Sequence, residues 1–268
     1  MQRLPLSRSA AVRGRRARRW RCALAAAALL AGGAGAQAEQ TSWRDIESRI
    51  QYGYYTENVM ALRNLSDTVA AGAAHDRLRG YYAGLLEWRL ALLAARNSAA
   101  VPGTSAAELA QRCVSELDAS LAESADFAEA LALRSACLWT PSETGGRFAP
   151  VADYHARRDL ERARELEPRN PRVMLLDAMS DYELAPARGG NRERAIGKLR
   201  KTVAAFESER REAEHVPGWG AAEAWLLLAQ DLLDHGDPMA ARDAIEHALL
   251  IAPDYAQARR LIAKITSG

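Results

Sequence analysis

The chain has 268 residues, a formal net charge of +2, three cysteines and 49% hydrophobic residues. Eight of its 36 Lys+Arg and none of its 34 Asp+Glu fall in the first 38 residues, so the remainder carries a net −6. That acidic balance, with both signs interspersed, argues against nucleic acid or an anionic membrane surface as the main partner. Ala and Leu dominate, β-branched runs are few and no alternating Val/Ile/Tyr segment competes, which points to an all-α chain.

The N-terminus reads as an export signal. Arg13, Arg15, Arg16, Arg18, Arg19 and Arg21 form a basic region, "CALAAAALLAGGAGA" follows as a short apolar run, and Ala36-Gln37-Ala38 offers a cleavage site. The run is too short for a transmembrane helix, and Cys22 has no lipidation context. The expected organisation is a signal peptide over 1–38 and an exported domain over 39–268, in the periplasm or cell envelope, with no stable membrane insertion after cleavage.

From residue 42 the periodicity is helical. An irregular helical unit is expected over 42–71, then helix pairs at 75–95 with 105–121, 127–139 with 152–166, 171–184 with 191–207, and 221–234 with 238–251. "SADFAEA" at 124–130 and "APDYAQA" at 252–258 echo each other and mark helix ends. A last helix, 255–266, turns Ile262 and Ile265 inward. Two connections, "TPSETGGRFAP" (140–150) and "APARGGNRERA" (185–195), share a proline followed by a glycine pair. Proline ends the preceding helix, glycine supplies positive φ, and Asn191 can cap the next helix; the alternative is a pair of projecting loops that contact a partner. Neither loop follows a strand or ends in Gly-Lys-Ser/Thr, so neither is a phosphate cradle. The basic stretch Arg192 to Lys201 reads as a solvated face answered by Glu207, Glu209, Glu212 and Glu214, and "RRDLERARELEP" as a face of i,i+4 ion pairs.

Catalytic and metal constellations are not found. The five histidines show no pair at metal-ligand spacing, and Ser105 and Ser115 lack a nucleophile context. The expectation is a non-enzymatic chain without cofactor or metal.

The most regular stretch is "WLLLAQDLLDHGDPMAARDAIEHALLIAPDY", 225–255. Trp225, Leu228 and Leu232 share one helix face, Ala244, Ile245 and Ala248 form a matching stripe, and Ala229, Ala241 and Ala248 sit where two axes would approach closely. Gly236 closes the first helix, Asp237 caps the second, Pro238 fits its first turn, and Pro253 ends it. Trp225-x2-Leu228-Ala229-x2-Leu232, followed by Ala241, Ile245, Ala248 and Pro253, resembles the tetratricopeptide repeat, with Ala229 for the usual Gly and Leu232 for the usual Tyr. The match is best at 222–255, and the whole looks like an exported bacterial protein of this kind.

The resemblance implies an α-solenoid of antiparallel helix pairs in a right-handed superhelix, here with extended loops inside the repeats. Its concave face would carry the first-helix residues that the seam leaves over. In the last unit these are Glu223, Leu226, Gln230 and Asp234; further upstream they are Arg172, Leu175, Met179 and Tyr182, then Glu129, Ala132, Ala136 and Trp139, with Trp88 in the first pair. Trp88, Trp139 and Tyr182 either pack against the long inserted loops, the favoured reading, or line a groove suited to a protein or peptide segment. Ala224 falls on a flank expected nearer solvent. In this register Cys113 and Cys137 lie on neighbouring helices. A disulfide is one reading, and two buried reduced thiols acting as small hydrophobes is the favoured one. Two functions remain open: an envelope scaffold that binds a protein or peptide through its concave face, or a small-ligand-binding accessory subunit of a solute transport system, its pocket closed by the Pro/Gly-Gly loops. Oligomeric state is not legible.

Overall fold

The structure, a computed structural model, describes residues 43–70, 75–140, 149–212 and 217–267. It divides into a first unit, Met1–Arg44, and a compact unit, Asp45–Gly268, which is the one described below. The expected leader and the glycine pair of the first inserted turn lie outside the described residues.

All regular elements among the described residues are helices. A helix over residues 43–55 (α1) and Val59–Ala70 (α2) take the place of the irregular first unit. The helix pairs follow: Arg77–Arg96 (α3) with Ala106–Glu123 (α4), Ala128–Trp139 (α5) with Ala149–Leu166 (α6), Pro171–Glu183 (α7) with Arg192–Glu212 (α8), and Ala221–Asp234 (α9) with Pro238–Ile251 (α10). Ala256–Ser267 (α11) comes last. The expected bounds hold to within three residues except at α8, which runs five residues further.

Side-chain caps explain why the helices start where they do. Asp76 accepts from the Leu78 N–H at 2.8 Å, Ser105 and Glu108 form a reciprocal capping box, and Asn170 accepts from the Arg172 N–H at 2.9 Å with Pro171 in the first turn. Asp237 accepts from the Ala240 N–H at 3.0 Å, and Gly236 supplies the left-handed turn at φ 76°. Asn191 caps α8 through the Arg194 N–H at 2.9 Å.

The most extensive packing lies within the four pairs, and α3, α5, α7 and α9 also touch in succession. These first helices form the inner layer: α5 buries ten of its twelve residues, whereas α10 buries four of fourteen. Between α3 and α4 the approach is very close. A Cβ on Gly80 would lie 2.7 Å from the Glu116 carbonyl oxygen, and one on Gly84 would lie 2.6 Å from Leu117 Cγ, so glycine is needed at both. The sequence reading missed this pair because it weighed α3 only for its aromatic residues.

In the last pair Leu228, Ala229, Leu232, Ala241, Ala244, Ile245 and Ala248 are buried, and Pro253 follows the C-cap residue Ala252. Trp225 is only half-buried and stacks on His247, with ring centroids 4.4 Å apart. Ala224 corrects the expectation of a wet flank. It is 0% exposed, because α9 is covered by α7 and α8 as well as by α10. In α11 only Ala258 is buried; Ile262 and Ile265 are half-buried.

Three further expectations change. Cys113 and Cys137 are joined in a disulfide between α4 and α5, with Cα atoms 6.2 Å apart, in place of two reduced thiols. The charges of α6 reach across helices: Arg134 binds Asp159 at 2.8 Å, Arg162 binds Asp126 at 2.9 Å, and Arg164 binds Asp177 at 3.1 Å. The basic start of α8 is met by α7 and α9: Lys198 lies 2.7 Å from both Asp177 and Asp181, Arg194 pairs with Asp181, and Arg192 pairs with Asp234. Glu209 binds Arg172 instead.

Two consequences can be measured. Ala224→Leu and Ala241→Leu should each lose about 1 to 3 kcal/mol in urea unfolding, since both would force a branched chain into a closed helix contact. Asp231, on α9, is 0% exposed; its carboxylate accepts no hydrogen bond among the described residues and meets only His235 Nδ1 at 3.4 Å. Burial pushes its carboxyl above the ordinary range, with His235 opposing. Between the unfolded and the folded value the folded chain binds this proton more tightly than the unfolded chain does, so the stability present below the unfolded value is lost as pH rises through the folded one. Asp231→Asn should raise the melting temperature at pH 7 by a few degrees, and the gap should close towards pH 4.

Candidate functional site

The inner layer encloses a cavity of about 460 Å³. Its floor comes from α3, α5, α7 and α9, which supply Trp88, Trp139, Leu175, Met179, Leu226 and Leu227. Additional walls come from Tyr54 on α1, from Trp219 ahead of α9, and from Tyr255 and Gln257 at the start of α11.

A buried cluster holds these walls in place. Arg89 on α3 is 1% exposed and pairs with Glu223 on α9, which is 8% exposed. Gln51 on α1 accepts from Arg89 at 3.0 Å and donates to Glu223 at 3.2 Å, and the Tyr55 hydroxyl donates to Glu223 at 2.6 Å. The Arg89 guanidinium also lies over the rings of Tyr54, Trp88 and Trp219 at 4.2, 4.8 and 4.9 Å. Burial works against its charge, but Glu223 and the surrounding tyrosine hydroxyls more than offset this, so Arg89 stays cationic. Nearby, Trp219 Nε1 donates to the Tyr81 hydroxyl at 2.7 Å, and Glu47 accepts from the Tyr82 hydroxyl at 2.7 Å and from the Gly218 N–H at 2.9 Å. Burial raises the Glu47 carboxyl despite these donors.

α1 thus ties the first helix pair to the last. Tyr55 and Tyr255 rings meet at 4.5 Å, and Glu57 binds Arg260 at 2.5 Å, extending the tie to α11. The sequence reading did not anticipate this; the only signals were the tyrosine-rich "QYGYYTEN" and the tryptophan in "PGWG".

Of the residues expected on a concave face, Trp88, Trp139, Leu175, Met179, Glu223, Leu226 and Gln230 line the cavity, whereas Glu129, Ala132 and Ala136 are buried and do not. Glu223 is committed to Arg89. Arg172, Tyr182 and Asp234 are placed elsewhere. Arg172 is 3% exposed and locked between Glu129, at 2.6 Å, and Glu209. Tyr182 donates to Asp234 at 2.9 Å beneath the Arg192 guanidinium, beyond the cavity wall. The expected aromatic line Trp88, Trp139, Tyr182 is therefore replaced by a cluster of Trp88, Trp139, Trp219, Tyr54 and Tyr255.

The remaining polar groups in the cavity fall into two sets. Arg89 and Arg188 are neutralised, the second by Asp153 at 2.5 Å. The Trp88 and Trp139 indole N–H groups, both buried, have no acceptor among the described residues. Gln257 Oε1 has no donor among them. Arg96 and Glu183 remain exposed, and among the described residues neither has an ion-pair partner within 4 Å; Arg96 spends one donor on the Tyr54 hydroxyl at 2.6 Å. A second cleft of about 390 Å³, between α5, α6, α7 and α8, is lined largely by the paired charges of Asp153, Arg164, Asp177, Asp181, Arg194 and Lys198.

No protein-family model matches the chain, and no curated protein matches it. Among the described residues no helix is long and apolar enough to cross a membrane, and no His/Cys/Asp/Glu group could hold a metal ion.

The buried pair gives a stability test. Arg89→Met should lose about 3 to 5 kcal/mol, because Glu223 stays buried without its cation. The double variant Arg89→Met, Glu223→Leu should recover part of that loss in the same urea titration, since no uncompensated charge remains.

Proposed function

We propose that the chain is an exported, non-enzymatic binding protein, a tetratricopeptide-type array that takes a small, mostly apolar ligand in the cavity of its inner face. The observation that carries this reading is the partial walling of that face: α1 and the start of α11 stand beside an apolar floor and narrow it to a half-open cavity with a few polar groups at its edge. A groove for a protein or peptide scaffold partner would run open along the first helices, and the Tyr54 and Tyr255 walls interrupt it. The succession of inner helices and outer helices supports the repeat assignment. The Cys113–Cys137 disulfide supports an oxidising compartment outside the cytosol, in keeping with the leader over 1–38. A role as the accessory subunit of a solute transport system fits a protein that holds a ligand without transforming it.

The test uses Trp88, Trp139 and Trp219 as reporters. Titration with small apolar compounds should change tryptophan emission saturably, and Met179→Trp, which fills the cavity from α7, should abolish the response with the melting temperature nearly kept. Unchanged binding by a folded Met179→Trp variant would overturn the cavity as the binding site.

A further inference from the structure

Among the described residues, the cavity lining holds one cation and one anion without an ion-pair partner. Arg96 is the last residue of α3 and Glu183 the last of α7, and both line the same space. Desolvation in the concavity raises the Glu183 carboxyl and outweighs the pull of Arg192 and, less strongly, of Arg96. No salt bridge joins the two.

Their positions are unequal in energy. A cation at a helix C-terminus is favoured by the helix dipole, and Arg96 also lies against the Tyr54 ring, 5.4 Å from its centroid. A carboxylate at the C-terminus of α7 is disfavoured by the same dipole, and Glu183 is further disfavoured by desolvation. Nothing among the described residues compensates it with a direct contact. Its cost to the fold is balanced if the space in front of it receives a positive group.

A ligand with a carboxylate alone would satisfy Arg96 and set a like charge before Glu183. A ligand with an amine alone would satisfy Glu183 and set a like charge before Arg96. A ligand that carries both satisfies both, and the tryptophan, leucine and methionine side chains that line the same cavity call for an apolar body. We propose that the cavity binds an apolar zwitterion, a free amino acid or dipeptide with aliphatic or aromatic side chains, its carboxylate on Arg96 and its ammonium on Glu183. The assignment rests on the cavity being the ligand site.

Isothermal titration with four probes tests it: L-leucyl-L-leucine, its N-acetyl form, its C-terminal amide, and the form blocked at both ends. The free dipeptide should bind tightest, and each single block should weaken binding by about tenfold or more. Glu183→Gln should erase the preference for the free amine and leave that for the free acid, and Arg96→Gln should do the reverse. Neither side chain is part of the buried core, so neither variant should melt below the parent by more than about a degree or two, which excludes unfolding as the cause. Blocked forms that bind as tightly as the free dipeptide, or variants that leave the discrimination unchanged, overturn the zwitterion assignment. Binding of all four with equal affinity, lost in Met179→Trp, keeps the cavity as the site while the zwitterion fails. Absence of binding by all four also overturns the zwitterion, and the apolar-compound titration then decides the cavity separately.

Discussion

Two opposite charges taken out of water together set the conditions for the rest of the inner face. Arg89 and Glu223 lie 134 residues apart on α3 and α9, and neither tolerates burial without the other. Their remaining donors and acceptors are met by Gln51 and Tyr55, so α1 has one position in which the cluster is satisfied. Apolar packing alone lets a helix slide along a neighbour by a turn at modest cost. A buried guanidinium with several directed partners does not, and the cavity walls inherit that precision. All three rings around Arg89 line the cavity, which couples the position of the charge to the shape of the space beside it.

The outer surface works on a different scale. Its ion pairs, such as Arg242 with Glu246 and Arg259 with Asp254, are exposed and contribute little individually. The half-buried chain of α7 and α8, where Asp177 and Asp181 together meet Arg164, Arg194 and Lys198, is a network with more to lose. Here the acidic residues of one helix hold the basic start of the next, and Asp181 is drawn below the usual carboxylate range because these donors outweigh its burial.

Local features were the legible part of the fold. Asp237, Pro238, Asn170 and Asn191 announce helix starts because capping acts within three residues, and periodicity in Ala and Leu identifies the buried stripes. Features that depend on distant partners were not legible. Ala224 looked peripheral because a single hairpin leaves that side open; only the neighbouring pairs cover it. Arg172 and Glu223 were placed on the concave face by angle, yet a helix wheel cannot say whether an opposite charge waits across the gap. The tie through α1 was invisible for the same reason, since nothing in "QYGYYTEN" names a partner some 170 residues away. Trp88 and Trp139 did come to one space, because their offset is measured within a repeat unit and repeats carry it forward.

The tie between α1 and the last helices has a consequence for how the chain is made. α1 leaves the ribosome before any other described helix, and its partners Gly218, Glu223, Tyr255 and Arg260 are among the last residues to follow. The helix pairs form from near neighbours and have low contact order, whereas docking of α1 closes the longest loop in the molecule. Until the last helices are made, Tyr54 can rest on Arg89 and Arg96 of α3, but Tyr55 lacks both Glu223 and the Tyr255 ring, and the inner face lacks the walls at Trp219 and Tyr255. The cavity is therefore complete only once both ends of the helical array have been made, and a chain lacking either end carries helices without all of its walls.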